Sequence, residues 1–213
     1  HKGESLKLEV AEKVKFDFSG RVITAHPSKP LLYVTATGGD PGKVPGAVVF
    51  LNKDGSYQKH QNINFNDGAC YLSLDTGNRH ILGVSYGNGR LNVYPLDEQG
   101  IPGKAVTTID EGKKEAHCVL LPPDGKNVYI PSVKGNLAIL QYAYDGNTGK
   151  VTPLKPKEAK PPLGSGPRHM AYHPTLPMVY FSNEQGIGLS TYRREANGQL
   201  KVEQDISILP CLL

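Results

Sequence analysis

The 213-residue chain has no tryptophan, two methionines and only three cysteines, Cys70, Cys118 and Cys211. An odd set of three cannot form the disulfide framework that holds small secreted domains together. Reduced thiols and a cytoplasmic location are the default expectation. No stretch approaches the roughly 20 apolar residues of a membrane-spanning helix, so no membrane partner is expected. Neither sign of charge dominates: 24 Lys and Arg against 20 Asp and Glu leave a net +4. The only basic clusters, Lys113-Lys114 and Lys155 to Lys160, fall in expected loops, which argues against a nucleic-acid partner. No Cys or His pair has zinc-ligand spacing, no GxxxxGK[ST] phosphate loop occurs, and no nucleophile elbow supports Ser-His-Asp chemistry. Neither a metal nor a cofactor is expected. Helical periodicity is missing as well: "SLKLEVAEKVKFDF" alternates as readily as a strand.

What the chain does have is 24 Gly, 17 Pro and 11 Tyr, the composition of many short strands joined by tight turns. Four stretches align: "RVITAHPSKPLLYVTATGG", "CYLSLDTGNRHILGVSYGNG", "HCVLLPPDGKNVYIPSVKGN" and "RHMAYHPTLPMVYFSNEQG". Each has an alternating apolar run, a Pro, Asp or Gly turn and a second apolar run, which is a β-hairpin. Their turn residues Pro27, Thr76, Pro123 and Pro174 lie 49, 47 and 51 residues apart. Between them lie further turn-centred stretches such as "GAVVFLNKDGSYQKHQNI" and "GNLAILQYAYDGNTGKVTPL", which read as second hairpins. Four strands in about 49 residues match one blade of a β-propeller. The predicted fold is all-β, a single propeller domain over 1–213 with repeats at about 21–68, 69–115, 116–165 and 166–213. Residues 1–20 read as the outer half of a preceding blade. The expected object is a propeller fragment of about four blades, the remaining blades coming from further sequence or a second chain.

The repeat also places side chains. Arg21, Cys70, His117 and Arg168 each stand about six residues before their turn, so they should line one rim of the central channel. A charge at a strand entrance costs energy unless it is paired or hydrated. A hydrated channel lined by ordinary polar residues is the alternative. Glu184 lies ten residues past Pro174, where the second strand of the hairpin returns beside Arg168, as a functional partner or as a simple salt bridge. Tyr86 and Val133 hold the same exit position in earlier units. Strand alternation turns His169 away from Arg168, which suits blade packing, although it stays among the candidate substrate contacts. His26 and His173 precede prolines in turns and read as turn residues.

"ACYLSLDTGNRHILGVSYGNGRLNVYPLDEQG", "AHCVLLPPDGKNVYIPSVKGNLAILQY" and "GPRHMAYHPTLPMVYFSNE" resemble the lactonase-type seven-bladed propellers. That family includes bacterial 6-phosphogluconolactonase of the propeller type and the fungal 3-carboxy-cis,cis-muconate lactonizing enzyme. The resemblance implies catalytic roles for His117 in "EAHCVLLP", Arg168 in "GPRHM" and Glu184 in "SNE". Where many relatives carry histidine after the cysteine of the second hairpin, this chain has Tyr71, so no role is carried over there.

The implied function is a hydrolase opening a phosphorylated or acidic sugar lactone by base-assisted attack of water, on a small anionic substrate. His117 or Glu184 would be the base. Arg168 would bind the anionic group and the oxyanion, with Arg21, Cys70, Tyr86 and His169 as further substrate contacts. A muconate-type cycloisomerase and a non-catalytic propeller scaffold are the competing readings. They separate on whether His117, Arg168 and Glu184 converge on one solvent-reachable site.

Overall fold

In the computed structural model, which describes residues 9–36, 39–40, 42–112, 114–134 and 137–209, every regular element is a β-strand. The first sheet runs in the order β1 (Gly20–Ala25), β2 (Leu31–Ala36), β3 (Val44–Leu51), β4 (Tyr57–Phe65). The second contains β5 (Tyr71–Leu74), β6 (His80–Val84), β7 (Leu91–Pro95) and β8 (Thr107–Ile109). The third contains β9 (Asn127–Ser132), β10 (Ala138–Asp145) and β11 (Lys150–Ala159). The fourth contains β12 (Pro167–Tyr172), β13 (Met178–Asn183), β14 (Gly188–Arg194) and β15 (Leu200–Ser207). Every paired strand is antiparallel to its neighbour, the meander that consecutive hairpins produce.

Two expectations need correction. The third sheet has three regular strands, because "AHCVLL" does not form a fourth. It pairs with β9 only at Ala116↔Ser132 and Leu120↔Tyr129. Four steps on one side face three on the other, so an extra residue breaks the ladder, and Pro122-Pro123 cannot donate to restore it. Residues 9–19, expected as strand, have no regular structure. They run beside β4, where Glu12 accepts a hydrogen bond from the Tyr57 amide and Phe16 packs edge-on against His60. Residues 1–8, Lys113 and Cys211 lie outside the described residues.

The middle strands explain why the sheets stack. β6 and β9 are buried at every position, so both of their faces are covered, whereas β15 is exposed at all but its first residue. Three apolar clusters fill the three gaps between successive sheets. Tyr33, Phe65, Ile81 and Tyr94 join the first to the second, Leu82, Val93, Ile130 and Tyr142 the second to the third, and Tyr129, Ile139, Phe181 and Tyr192 the third to the fourth.

Polar ties cross the same gaps. The Tyr33 hydroxyl donates to the Gly100 carbonyl at 2.9 Å, and Tyr129 does the same to Gly198 in the fourth sheet. Between the second and third sheets, buried Asp75 accepts from the Tyr144 hydroxyl at 3.1 Å and lies 3.1 Å from His80 Nδ1. His26 and His173 are turn residues, their Nδ1 atoms each accepting two backbone amides.

Gly198 holds φ +84°, where a side chain is strained. An added Cβ would stand 2.4 Å from Asn127 Nδ2, itself pinned on the Tyr142 carbonyl. Gly55, in the matching turn of the first sheet, has φ +86° with nothing within 4 Å. Gly55→Ala should therefore lose about 1 kcal/mol, the backbone term alone. Gly198→Ala should lose roughly 2–4 kcal/mol, because overpacking against the pinned amide adds to that term. Urea unfolding of both variants checks this, and equal losses would remove the inter-sheet contact from the account.

Candidate active site

The rim residues owe their direction to irregularities in the pairing. In β1, Gly20 pairs with Ala36 and Val22 with Thr35, so Arg21 is the extra residue of a bulge. In β12, Pro167 pairs with Asn183 and His169 with Ser182, which leaves Arg168 as the extra residue. Cys70 donates its amide to the Val84 carbonyl at 2.8 Å although Val84 already pairs with Tyr71. His117 lies inside the interrupted pairing of the third sheet. A bulge bends the strand and re-aims the side chains around it.

That bend corrects the expected orientation of His169. Alternation across a regular strand would turn it from Arg168, but the bulge breaks the alternation. His169 is exposed at the rim, its ring 5.1 Å from His117 and 6.2 Å from Tyr71. It is not a blade-packing residue. Tyr71, assigned no role from the sequence, stands next to it.

Arg168 is the centre of the site. Its Nε–H donates to His117 Nε2 at 3.0 Å, and Glu184 Oε2 lies 2.8 Å from the same nitrogen. The Glu184 amide donates to the Gly166 carbonyl at 2.8 Å, which fixes the hairpin exit beside the strand entrance. Arg168 and Glu184 side chains are 41% and 39% exposed, so their ion pair contributes at most about 1 kcal/mol and exchanges easily for a ligand. His117 is buried, with Tyr86 edge-on at 5.7 Å.

Arginine can only donate, so His117 Nε2 must be unprotonated and the ring hydrogen sits on Nδ1, which is buried with no partner among the described residues. Burial, then the Arg168 charge, lowers the His117 pKa below its ordinary 6.5, and the same two causes lower that of His169. Burial pushes the Cys70 thiol up to about 11, against the opposing pull of Arg21 and Arg168. Cys70 is therefore a protonated donor, bonded to the Ala116 carbonyl at 3.0 Å, and no nucleophile.

Arg21 lines a neighbouring polar cavity with Asp67, Ser85, Tyr86 and Asn88. Sequence reading missed this cavity, because "NDG" and "GNG" look like turns alone. The guanidinium between His117 and Glu184 also takes the place a cation would need. Among the described residues no cluster of three His, Cys, Asp or Glu is arranged for a metal.

With this geometry established, comparison with known proteins places the chain. The family described as "Lactonase, 7-bladed beta-propeller" matches residues 2–211. The chain belongs to that family. It is 29% identical over 141 residues to the 6-phosphogluconolactonase of Cronobacter sakazakii, which covers 66% of this chain and 41% of that protein. It is 30% identical over 142 residues to that of Pectobacterium carotovorum, covering 66% and 42%. The chain thus spans about two fifths of the length of these curated relatives. The periplasmic gluconolactonase of Pseudomonas aeruginosa superimposes with a TM-score of 0.75 at 20% identity, covering 90% of this chain and 58% of that one. The β-propeller domain of Cps50 from Myceliophteria thermophila reaches 0.67 at 11% identity, covering 92% and 61%. Such distant likeness establishes the propeller fold and nothing about chemistry.

A histidine titration followed by NMR should find the His117 pKa below 6.5. In Arg168→Gln it should rise, because the Arg168 charge is the second cause that holds it down. A value above 6.5 in the unmodified protein would contradict the neutral, acceptor role of His117.

Proposed function

We propose that this rim hydrolyses an anionic sugar lactone, with 6-phosphogluconolactone as the substrate its relatives' names suggest. The observation that carries the reading is the single Arg168 nitrogen held between an imidazole acceptor and a half-exposed carboxylate. Water attacks the lactone carbonyl carbon, and Glu184 takes its proton. Glu184 is the better placed base, because the His117 Nε2 lone pair is already occupied by Arg168. The carbonyl oxygen becomes an oxyanion facing the Arg168 guanidinium, a planar donor set that needs little reorganisation. Collapse of the intermediate breaks the ring C–O bond. The proton on Glu184 passes to the departing oxygen, leaving an open-chain hydroxy acid.

His117 acts through Arg168. Its neutral ring accepts the Nε–H and holds the guanidinium plane in place, while Tyr86 and His169 pack against it. Protonation removes that acceptor and sets a second cation beside Arg168. Activity should therefore fall as pH drops through the lowered His117 pKa, with the acid limb below 6.5. A scaffold gains nothing from this arrangement, and the relatives' names favour hydrolysis over cycloisomerisation.

The test follows loss of 6-phosphogluconolactone with the purified full chain, against spontaneous hydrolysis. Turnover no faster than the background sinks the proposal. Arg168→Lys should lose on the order of 10²-fold in kcat, since an ammonium cannot reproduce the planar contact. Glu184→Gln should lose about 10²-fold or more while unfolding normally. A Glu184→Gln protein that melts earlier yet turns over normally reduces Glu184 to a brace.

A further inference from the structure

Arg21 stands apart from the other rim cation. Arg168 is engaged by His117 and Glu184, Arg90 by Asp110, Arg193 by Glu203 and Arg194 by Asp124. Arg79 bonds Asn147. Arg21 has no such partner among the described residues, yet it is held at the rim by the β1 bulge. It opens on a cavity of about 370 Å³ between the first and second sheets, lined also by Asn66, Asp67, Ser85, Tyr86 and Asn88.

The carboxylate in that cavity does not cancel the arginine. Asp67 is 8% exposed and already accepts from Asn88 Nδ2 at 2.7 Å and Asn92 Nδ2 at 2.8 Å, with Arg90 3.6 Å away. Each of its oxygens already accepts one asparagine amide, and Arg90 rather than Arg21 is the cation beside it. The Ser85 and Tyr86 hydroxyls, by contrast, make no hydrogen bond among the described residues. One guanidinium with five N–H donors and two free hydroxyls is a donor set for a tetrahedral oxyanion.

Tyr86 makes the cavity a neighbour of the reacting centre, because it lines the cavity and also packs its ring against His117. Arg21 and Arg168 both act on the Cys70 thiol, which lies between the first and third units of the rim. A lactone whose carbonyl faces Arg168 would therefore extend its tail along the rim toward Arg21.

We infer that the Arg21 cavity is the subsite for the substrate's phosphate ester, and that Arg21, with the Ser85 and Tyr86 hydroxyls, selects phosphorylated over unphosphorylated lactones. Arg168 is then left for the reacting carbonyl. The inference rests on the lactonase reading of His117, Arg168 and Glu184, but it fails separately.

The experiment compares kcat/KM for 6-phosphogluconolactone and for gluconolactone in the full chain and in Arg21→Met, with unfolding curves to confirm that the variant folds. Arg21→Met should lower the preference for the phosphorylated lactone roughly tenfold to hundredfold, mainly through KM, as expected for loss of a charge-assisted contact. Arg21→Lys should restore part of it. The preference in the unmodified protein should also weaken with added salt, because the site is exposed. An unchanged preference in Arg21→Met overturns the subsite. If the unmodified protein hydrolyses neither lactone, the lactonase reading falls and inorganic phosphate decides the subsite alone. Calorimetric binding of phosphate lost in Arg21→Met but kept in Arg168→Gln supports it. Binding lost only in Arg168→Gln, or kept in both, overturns it.

Discussion

A sheet whose middle strands are apolar on both faces cannot stand alone in water, and this constraint organises the whole chain. Consecutive buried residues in β6 and β9 oblige the second and third sheets to be covered on both sides. The only cover at hand is the next copy of the same unit. Side-by-side stacking follows, each gap filled by one apolar cluster and closed by a tyrosine hydroxyl or a buried Asp-His-Tyr contact. Stacking repeats also brings one position of every unit to one rim. Residues some fifty apart in sequence become neighbours without any long-range motif.

At that rim regularity is given up. The strand entrances carry an extra residue or a broken ladder, and the side chains placed there are an arginine, a thiol, a histidine and a second arginine. A regular ladder would turn consecutive residues such as Arg168 and His169 to opposite faces, one of them toward the gap between sheets, where a charge is costly. The bulges re-aim Arg21 and Arg168 instead, and the one in β12 brings His169 round to the side of His117.

The electrostatics of the mouth separate two arginines that share a repeat position. Arg168 is held by an exchangeable ion pair and by a histidine that burial keeps neutral, so it is oriented but not consumed. Arg21 makes no ion pair among the described residues, and the carboxylate lining its cavity is already held by two asparagine amides. One cation is placed for geometry and the other is free to attract charge.

Sequence alone determined the period, because a strand pair with its turn leaves a local signature in alternation and in Pro, Asp and Gly. From the period came the all-β class and the shared rim position of Arg21, Cys70, His117 and Arg168. The return of Glu184 to Arg168 was legible for the same reason, since both belong to one hairpin. Tertiary structure alone decided what depends on register and on the neighbouring sheet. The loss of a fourth strand in the third unit, the turning of His169 and the cavity under Arg21 each arise from a one-residue slip or from side chains of two units meeting. The tautomer of His117 was equally out of reach, because it is set by a guanidinium 51 residues away whose direction a bulge controls. Alternation is a property of a strand, but the face a side chain finally shows is fixed by the partner strand against which the ladder slips.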